Sequence, residues 1–148
     1  MGWDINFPRI RLKNKSKMLA SKKNTKSMQK SSGTVLRIAL AQMNSMVGDF
    51  DYNTNKIKSH LKQARKMGAD VILFPELAIT GYPPEDLLLK ESFLKNSHKA
   101  MEKIIPHTRG LTAIVGFAEK HGNAIYNSAA LLCDGKHVGT CRKMLLPN

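Results

Sequence analysis

The chain has 148 residues, 42% of them hydrophobic, with 24 Lys+Arg against 11 Asp+Glu for a formal charge of +13. That length suits one domain whose core needs no disulfide or metal staples. No apolar run approaches the roughly 20 residues that cross a bilayer and the start lacks a secretory apolar segment, so a membrane or secreted protein is not expected. Asn6 stands where a myristoylation signal needs Ser or Thr, which disfavours a lipid anchor. Two cysteines, Cys133 and Cys141, are too few for a disulfide framework or a four-cysteine zinc site, and a reducing, cytoplasmic compartment is expected.

The charge is uneven. Residues 1–33 carry nine Lys/Arg and one acid, Asp4, for +8, leaving +5 for residues 34–148. The stretch 10–33 is rich in Lys, Ser and Asn with almost no periodic apolar pattern, so it cannot offset its ordering entropy and is expected to be a disordered basic extension. Clustered Lys attracts phosphate, but the aromatics near the start, Trp3 and Phe7, lie ahead of the Lys cluster and not among it, which disfavours nucleic acid as a partner. Lys outnumbers Arg seven to two there, unlike an organelle transit peptide. A start site assigned too far upstream, with Met18 or Met28 the real one, is the simplest account.

From Val35 the pattern changes. Val35–Met43 is apolar and branched enough for a buried strand after a Ser-Ser-Gly break. Between Asp51 and Gly68, Ile57, Leu61 and Ala64 recur at helical spacing opposite a lysine-rich side, with Asn53 as the expected N-cap and Gly68 as the stop. Asp70–Pro75 reads as a short strand buried on both faces, so strand, helix and strand form a βαβ unit. The long connection Glu76–Glu91 contains Gly81-Tyr-Pro-Pro84, which forbids helix until about Asp86, and connections of that length are often functional. A helix is expected at about 92–105, with Phe93, Met101, Ile104 and Ile105 inward and Pro106 beyond its end. Leu111–Ala118 reads as a buried strand, and Asp134-Gly135 marks a hairpin between 124–133 and 137–143.

Two residues suggest chemistry. Glu76 ends a buried strand, where burial would raise its pKa and prepare it as a proton acceptor, although a solvated acid opening a loop has the same pattern. With Asp134 and Gly135 as a two-residue turn, Lys143 is expected opposite Tyr126 and Cys133 opposite Lys136, which keeps the two cysteines too far apart for a disulfide. Cys141 shares a strand face with Lys143 and is either a thiol activated by the ammonium or an inert small hydrophobe. His60, His98, His107, His121 and His137 show no metal-binding spacing, and no Gly-rich phosphate loop is present.

Taken together, Arg37-Ile-Ala-Leu-Ala-Gln42, Gly48-Asp49 with Asn53, Phe74-Pro-Glu-Leu77 and Arg142-Lys143 resemble the nitrilase, or carbon–nitrogen hydrolase, superfamily over about residues 35–148. More narrowly, Thr80-Gly-Tyr-Pro-Pro-Glu-Asp-Leu-Leu-Leu89 and Lys143-Met-Leu-Leu-Pro-Asn148 are similar to the glutaminase domains of glutamine-dependent NAD synthetases. The resemblance implies an α/β fold, part of an αββα four-layer sandwich, and a Glu-Lys-Cys triad that hydrolyses glutamine. It makes Glu76 the general base, makes Lys143 the cation that holds the oxyanion, and sets Tyr82 beside the amide pocket. It also implies that ammonia passes to an ATP- and magnesium-dependent synthetase domain, and it admits a homo-oligomeric complete enzyme.

The departure from that pattern is as informative. In such enzymes the cysteine nucleophile lies well downstream of the lysine, and Cys141 falls before Arg142-Lys143, so no nucleophile, synthetase domain or cofactor is expected within residues 34–148. Losing one triad member typically costs on the order of 10⁴–10⁶ in rate. The expectation is therefore the N-terminal portion of a glutamine-hydrolysing NAD synthetase, inactive by itself, from a truncated, split or frameshifted gene. The alternatives are another nitrilase-type amidase fragment completed in trans and a nucleic-acid-binding protein using the Lys arm.

Overall fold

The structure is a computed structural model that describes residues 35–143. Expectations for the arm at 1–33 and for the motif residues Met144–Asn148 lie outside the described residues. Five strands form one sheet in the order β1 (Ile38–Leu40), β2 (Val71–Leu73), β3 (Thr112–His121), β4 (Ala124–Cys133) and β5 (Lys136–Arg142). β1, β2 and β3 run parallel, whereas β3, β4 and β5 are antiparallel neighbours. Two helices, α1 (Phe50–Lys66) and α2 (Glu91–Ile104), complete the frame, and no helix among the described residues is long and apolar enough to cross a membrane.

Helix α1 forms where the apolar spacing places it, with Ile57, Leu61 and Ala64 buried, and Gly68 (φ +71°) follows its last residues in the left-handed region. Its cap is a correction: Asp49, not Asn53, accepts from the Tyr52 amide and starts the helix. Asn53 lies one turn inside, fully buried, and its amide exchanges hydrogen bonds with Met46 and donates to the Ile79 carbonyl. An amide offers both donors and an acceptor, so one side chain satisfies backbone groups of two loops. In α2, Phe93, Met101 and Ile104 are buried as expected, joined by Leu94, Ser97 and Ala100, while Ile105 is only partly covered. The connection before it forms a short 3-10 helix at Glu85–Leu89, after the prolines that forbid an earlier start.

The core lies between the helices and one face of the sheet: Ile57 and Leu61 of α1 and Met101 and Ile104 of α2 join Ile72, Ala113, Val115, Ala130 and Leu132. Side chains alternate along a strand, so their sequence neighbours point the other way. Leu40, Leu73, Ile114 and Leu131 stand in register across β1 to β4 on that second face. This overturns the expectation of fully buried parallel strands. Ile38 is 56% exposed and Leu40 79%, and Val71 and Leu73 are only half-buried, because the core formed with the helices packs against the other face of β1 and β2.

The β4–β5 turn is of the tight type, with Asp134 (φ 50°) and Gly135 (φ 78°) both left-handed. Cys133 faces Lys136 and Leu132 faces His137, as two-residue turn arithmetic requires. Leu131 then pairs with Gly139, so Val138 is an extra residue in β5 and the register slips by one. Lys143 consequently lies beside Asn127, donating its backbone N–H to the Asn127 carbonyl at 2.9 Å, and not beside Tyr126 as expected. β3 also runs on to His121 and forms a second hairpin with β4 across Gly122-Asn123. Both cysteines are free.

An apolar row left open on one sheet face favours self-association. The 148-residue polypeptide is expected to bind an apolar dye and to self-associate in light scattering, and Ile38→Thr with Leu40→Lys should reduce both without loss of helical signal. A monodisperse monomer that binds no dye and melts sharply and reversibly contradicts this.

Candidate active site

Glu76 is delivered by a chain that leaves β2 and crosses over β3. The Phe74 amide donates to the Ile114 carbonyl at 2.9 Å and the Ile79 amide to the Gly116 carbonyl at 3.2 Å, so the segment between them lies against the middle of β3. Gly116 makes that approach available: a Cβ there would stand 2.5 Å from the Pro75 carbonyl oxygen and 2.6 Å from the Leu77 nitrogen. Leu77 has φ 51°, a left-handed backbone at a non-glycine residue directly after Glu76. On its far side the segment is tied down by Asn53 and by the Gly48 amide, which donates to the Thr80 carbonyl at 2.9 Å. Gly81 (φ +78°) passes so near Val47 that a Cβ would lie 2.6 Å from its Cα.

The Glu76 carboxylate accepts at Oε1 from Lys143 Nζ, 3.2 Å away, and from Asn127 Nδ2. The two charged residues are separated by 67 positions in sequence. Alternation along β4 puts Asn127 on the same face as Ala129 and Leu131, the face away from the helices. The bulge at Val138 gives Lys143 that same face; an unbulged hairpin would have turned it toward the helices.

The electrostatics reverse one expectation. Glu76 was expected to have a raised pKa, but the Lys143 ammonium, then the Asn127 amide, hold its carboxyl below the usual value of 4.5. Its side chain is 50% exposed and that of Lys143 41%, so the desolvation that would push the carboxyl up is the weaker effect.

Behind Lys143, on the helix-facing side, Arg142 donates Nε and Nη2 to the two carboxylate oxygens of Glu119 at 2.8 and 2.9 Å. Ser128 Oγ adds a third donor to Glu119 at 3.0 Å, and the Arg142 guanidinium lies 5.5 Å from the centre of the Tyr126 ring. Burial pushes the Glu119 carboxyl up, but the hydrogen bonds from Arg142 and Ser128 outweigh it and leave the pKa lowered. A forked guanidinium bound at both teeth has a fixed orientation, so the end of β5 that carries Lys143 is anchored to β3.

Of the residues singled out from sequence, Glu76 and Lys143 come together. Tyr82 does not join them: it is 67% exposed, and no hydrogen bond among the described residues links it to either. Cys141 is exposed, lies opposite Ala129 and has no hydrogen bond to Lys143 among the described residues. Gly116, Asn127, Ser128 and Glu119 escaped sequence reasoning. Only Gly116 left a readable sign, as a glycine inside an apolar strand.

The carbon-nitrogen hydrolase family model matches residues 37–148, and the chain belongs to that family. A glutamine-dependent NAD(+) synthetase from Xylella fastidiosa is 48% identical over 114 residues, which are 76% of this chain and 21% of that protein. The chain thus spans about one fifth of the length of the curated relatives it matches. Among solved structures, the glutamine-dependent NAD+ synthetase of Acinetobacter baumannii superposes with TM-score 0.72 at 38% identity, over 76% of this chain and 22% of that one. An amidase from Nesterenkonia sp. superposes with TM-score 0.70 at 24% identity, over 80% of this chain and 48% of its own, and shares the nitrilase fold.

Glu119→Gln is expected to lower stability by about 1–3 kcal/mol, because the partly covered Arg142 loses its ionised partner. A carboxyl held below 4.5 in the folded state contributes stability that is complete above that value and lost as pH falls through the lowered one. Urea unfolding between pH 3 and 7 should therefore show a shallower acid loss for Glu119→Gln than for the unaltered chain; identical slopes contradict the clamp.

Proposed function

We propose that this chain is the N-terminal portion of a glutamine-dependent NAD synthetase, and that Glu76 and Lys143 form the proton-transfer and oxyanion half of its glutamine-hydrolysing site. The observation that carries this reading is the 3.2 Å contact between Glu76 and Lys143, built from two distant segments on one open sheet face. Family membership and the 48% identity to the Xylella fastidiosa enzyme support the choice of glutamine as substrate.

The residue types suit the reaction. An amide resists water, so a thiol gives its proton to the Glu76 carboxylate and the sulfur attacks the amide carbon. The Lys143 ammonium stabilises the negative charge that develops on the amide oxygen. The carbon–nitrogen bond then breaks, Glu76 returns the proton to the departing nitrogen as ammonia forms, and water hydrolyses the thioester to glutamate and free thiol. Neither cysteine of the described residues is bonded to the pair, and the related amidase from Nesterenkonia sp. has an active-site cysteine. In this proposal the sulfur is supplied by polypeptide that covers the open sheet face, and Tyr82 borders the amide once that cover is in place. The 148 residues alone are inactive.

ATP and magnesium belong, in the same proposal, to a synthetase domain that uses the ammonia to amidate nicotinic acid adenine dinucleotide. Among the described residues no group of three or more His, Cys, Asp or Glu side chains is arranged to hold a metal, and no step above runs through one. A homo-oligomeric complete enzyme in the cytoplasm completes the reading.

The test is a fusion of all 148 residues to the part of the Xylella fastidiosa enzyme that follows its matching segment, assayed for ammonia release from glutamine. The fusion should be active, and Glu76→Gln or Lys143→Met should each lower kcat on the order of 10⁴-fold. A folded but inactive fusion, retention of activity in either variant, or ammonia release by the unfused chain that is lost with Cys141→Ala, contradicts the proposal.

A further inference from the structure

Both members of the Glu76–Lys143 pair are bound to one residue of β4. Asn127 donates its side-chain Nδ2 to Glu76 Oε1, and its backbone carbonyl accepts the Lys143 N–H at 2.9 Å. Its own place is fixed from the other side, where it pairs with Ala118 of β3. Glu76 Oε1 therefore receives two donors, whereas Oε2 receives none among the described residues.

The ion pair alone does not produce that asymmetry. An ammonium on a four-carbon stem carries three rotatable donors and can follow a carboxylate through any rotation. The terminal torsion of a glutamate is broad and nearly two-fold, so a lysine partner leaves both oxygens equivalent. A planar amide on a strand held by two neighbours has a fixed direction and picks one oxygen. We propose that Asn127 is a positioning residue of the hydrolytic site, orienting Glu76 so that Oε2 is the oxygen that takes the nucleophile's proton, while its carbonyl sets where Lys143 stands along β5. This rests on the functional reading above and adds to it the acceptor atom and the residue that selects it.

Asn127→Ala removes the donor, and Asn127→Asp keeps the shape but turns an acceptor toward the carboxylate. Two experiments separate this inference from the functional reading. In the full 148-residue chain, carbon NMR titration of the Glu76 carboxyl should move to higher pH in Asn127→Ala and further in Asn127→Asp; an unmoved titration in both overturns the inference whatever the enzyme does. In the fusion, Asn127→Ala should lower kcat on the order of 10²-fold with KM little changed, the cost of a misplaced reacting group. The acid limb of its kcat/KM profile should move to higher pH. A structural role alone lowers the amount of folded protein and leaves that limb in place, so an active fusion whose acid limb and kcat are the same in Asn127→Ala overturns the inference. An unsubstituted fusion that releases no ammonia counts against the functional reading, and the NMR titration still decides whether Asn127 orients Glu76.

Discussion

One extra residue in β5 decides which side of the sheet Lys143 occupies. Without the bulge at Val138 the turn at Asp134-Gly135 would place Lys143 opposite Tyr126, on the side facing the helices, and Arg142 on the open side. With it, Arg142 turns inward to Glu119 and Lys143 turns outward to Glu76. The adjacent cations thus take separate work: the guanidinium, with its rigid fork, anchors the strand, and the ammonium, with its mobile stem, stands at the carboxylate. Gly116 provides the matching condition on the other half, since the loop with Glu76 reaches this position only by passing over a residue without a side chain.

Much of the fold was legible in the sequence because it follows from local patterns. The apolar spacing of Ile57, Leu61 and Ala64 defined α1, and Asp134-Gly135 defined the last hairpin. The site was half legible. Glu76 and Lys143 stood out through family resemblance, and the structure puts them in contact. Their pairing geometry was not readable, because a bulge has no strong sequence mark and shifts every later residue of the strand by one. Asn53 misled for a related reason: Asn is a good cap, but Asp49 was available at the right distance, and the Asn53 amide was worth more bridging two loops. Asn127 and Glu119 were invisible because neither Asn nor Glu on a hairpin strand signals anything until its cross-strand partner is known.

The open face and the acidity of Glu76 are connected. Burial was expected to raise its carboxyl, yet in these residues the Lys143 and Asn127 hydrogen bonds prevail because half of the side chain meets solvent. Polypeptide laid over Leu40, Leu73, Ile114 and Leu131 would cover the same face that presents Asn127 and Lys143, and would enlarge the desolvation opposing ionisation. In the proposed role, the Glu76 carboxyl, held low while the face is open, would become a better proton acceptor once that face is covered. The same covering removes the apolar exposure that makes the sheet prone to association.

The account depends on Lys143 standing at Glu76, and the most direct measurement is the pH titration of the Glu76 carboxyl by carbon NMR, in the full chain and in Lys143→Met. The account predicts that Glu76 titrates below the ordinary glutamate range and moves up when the ammonium is removed. An ordinary titration that Lys143→Met leaves in place would show that the two groups do not meet, and the proposed half-site would fail with it.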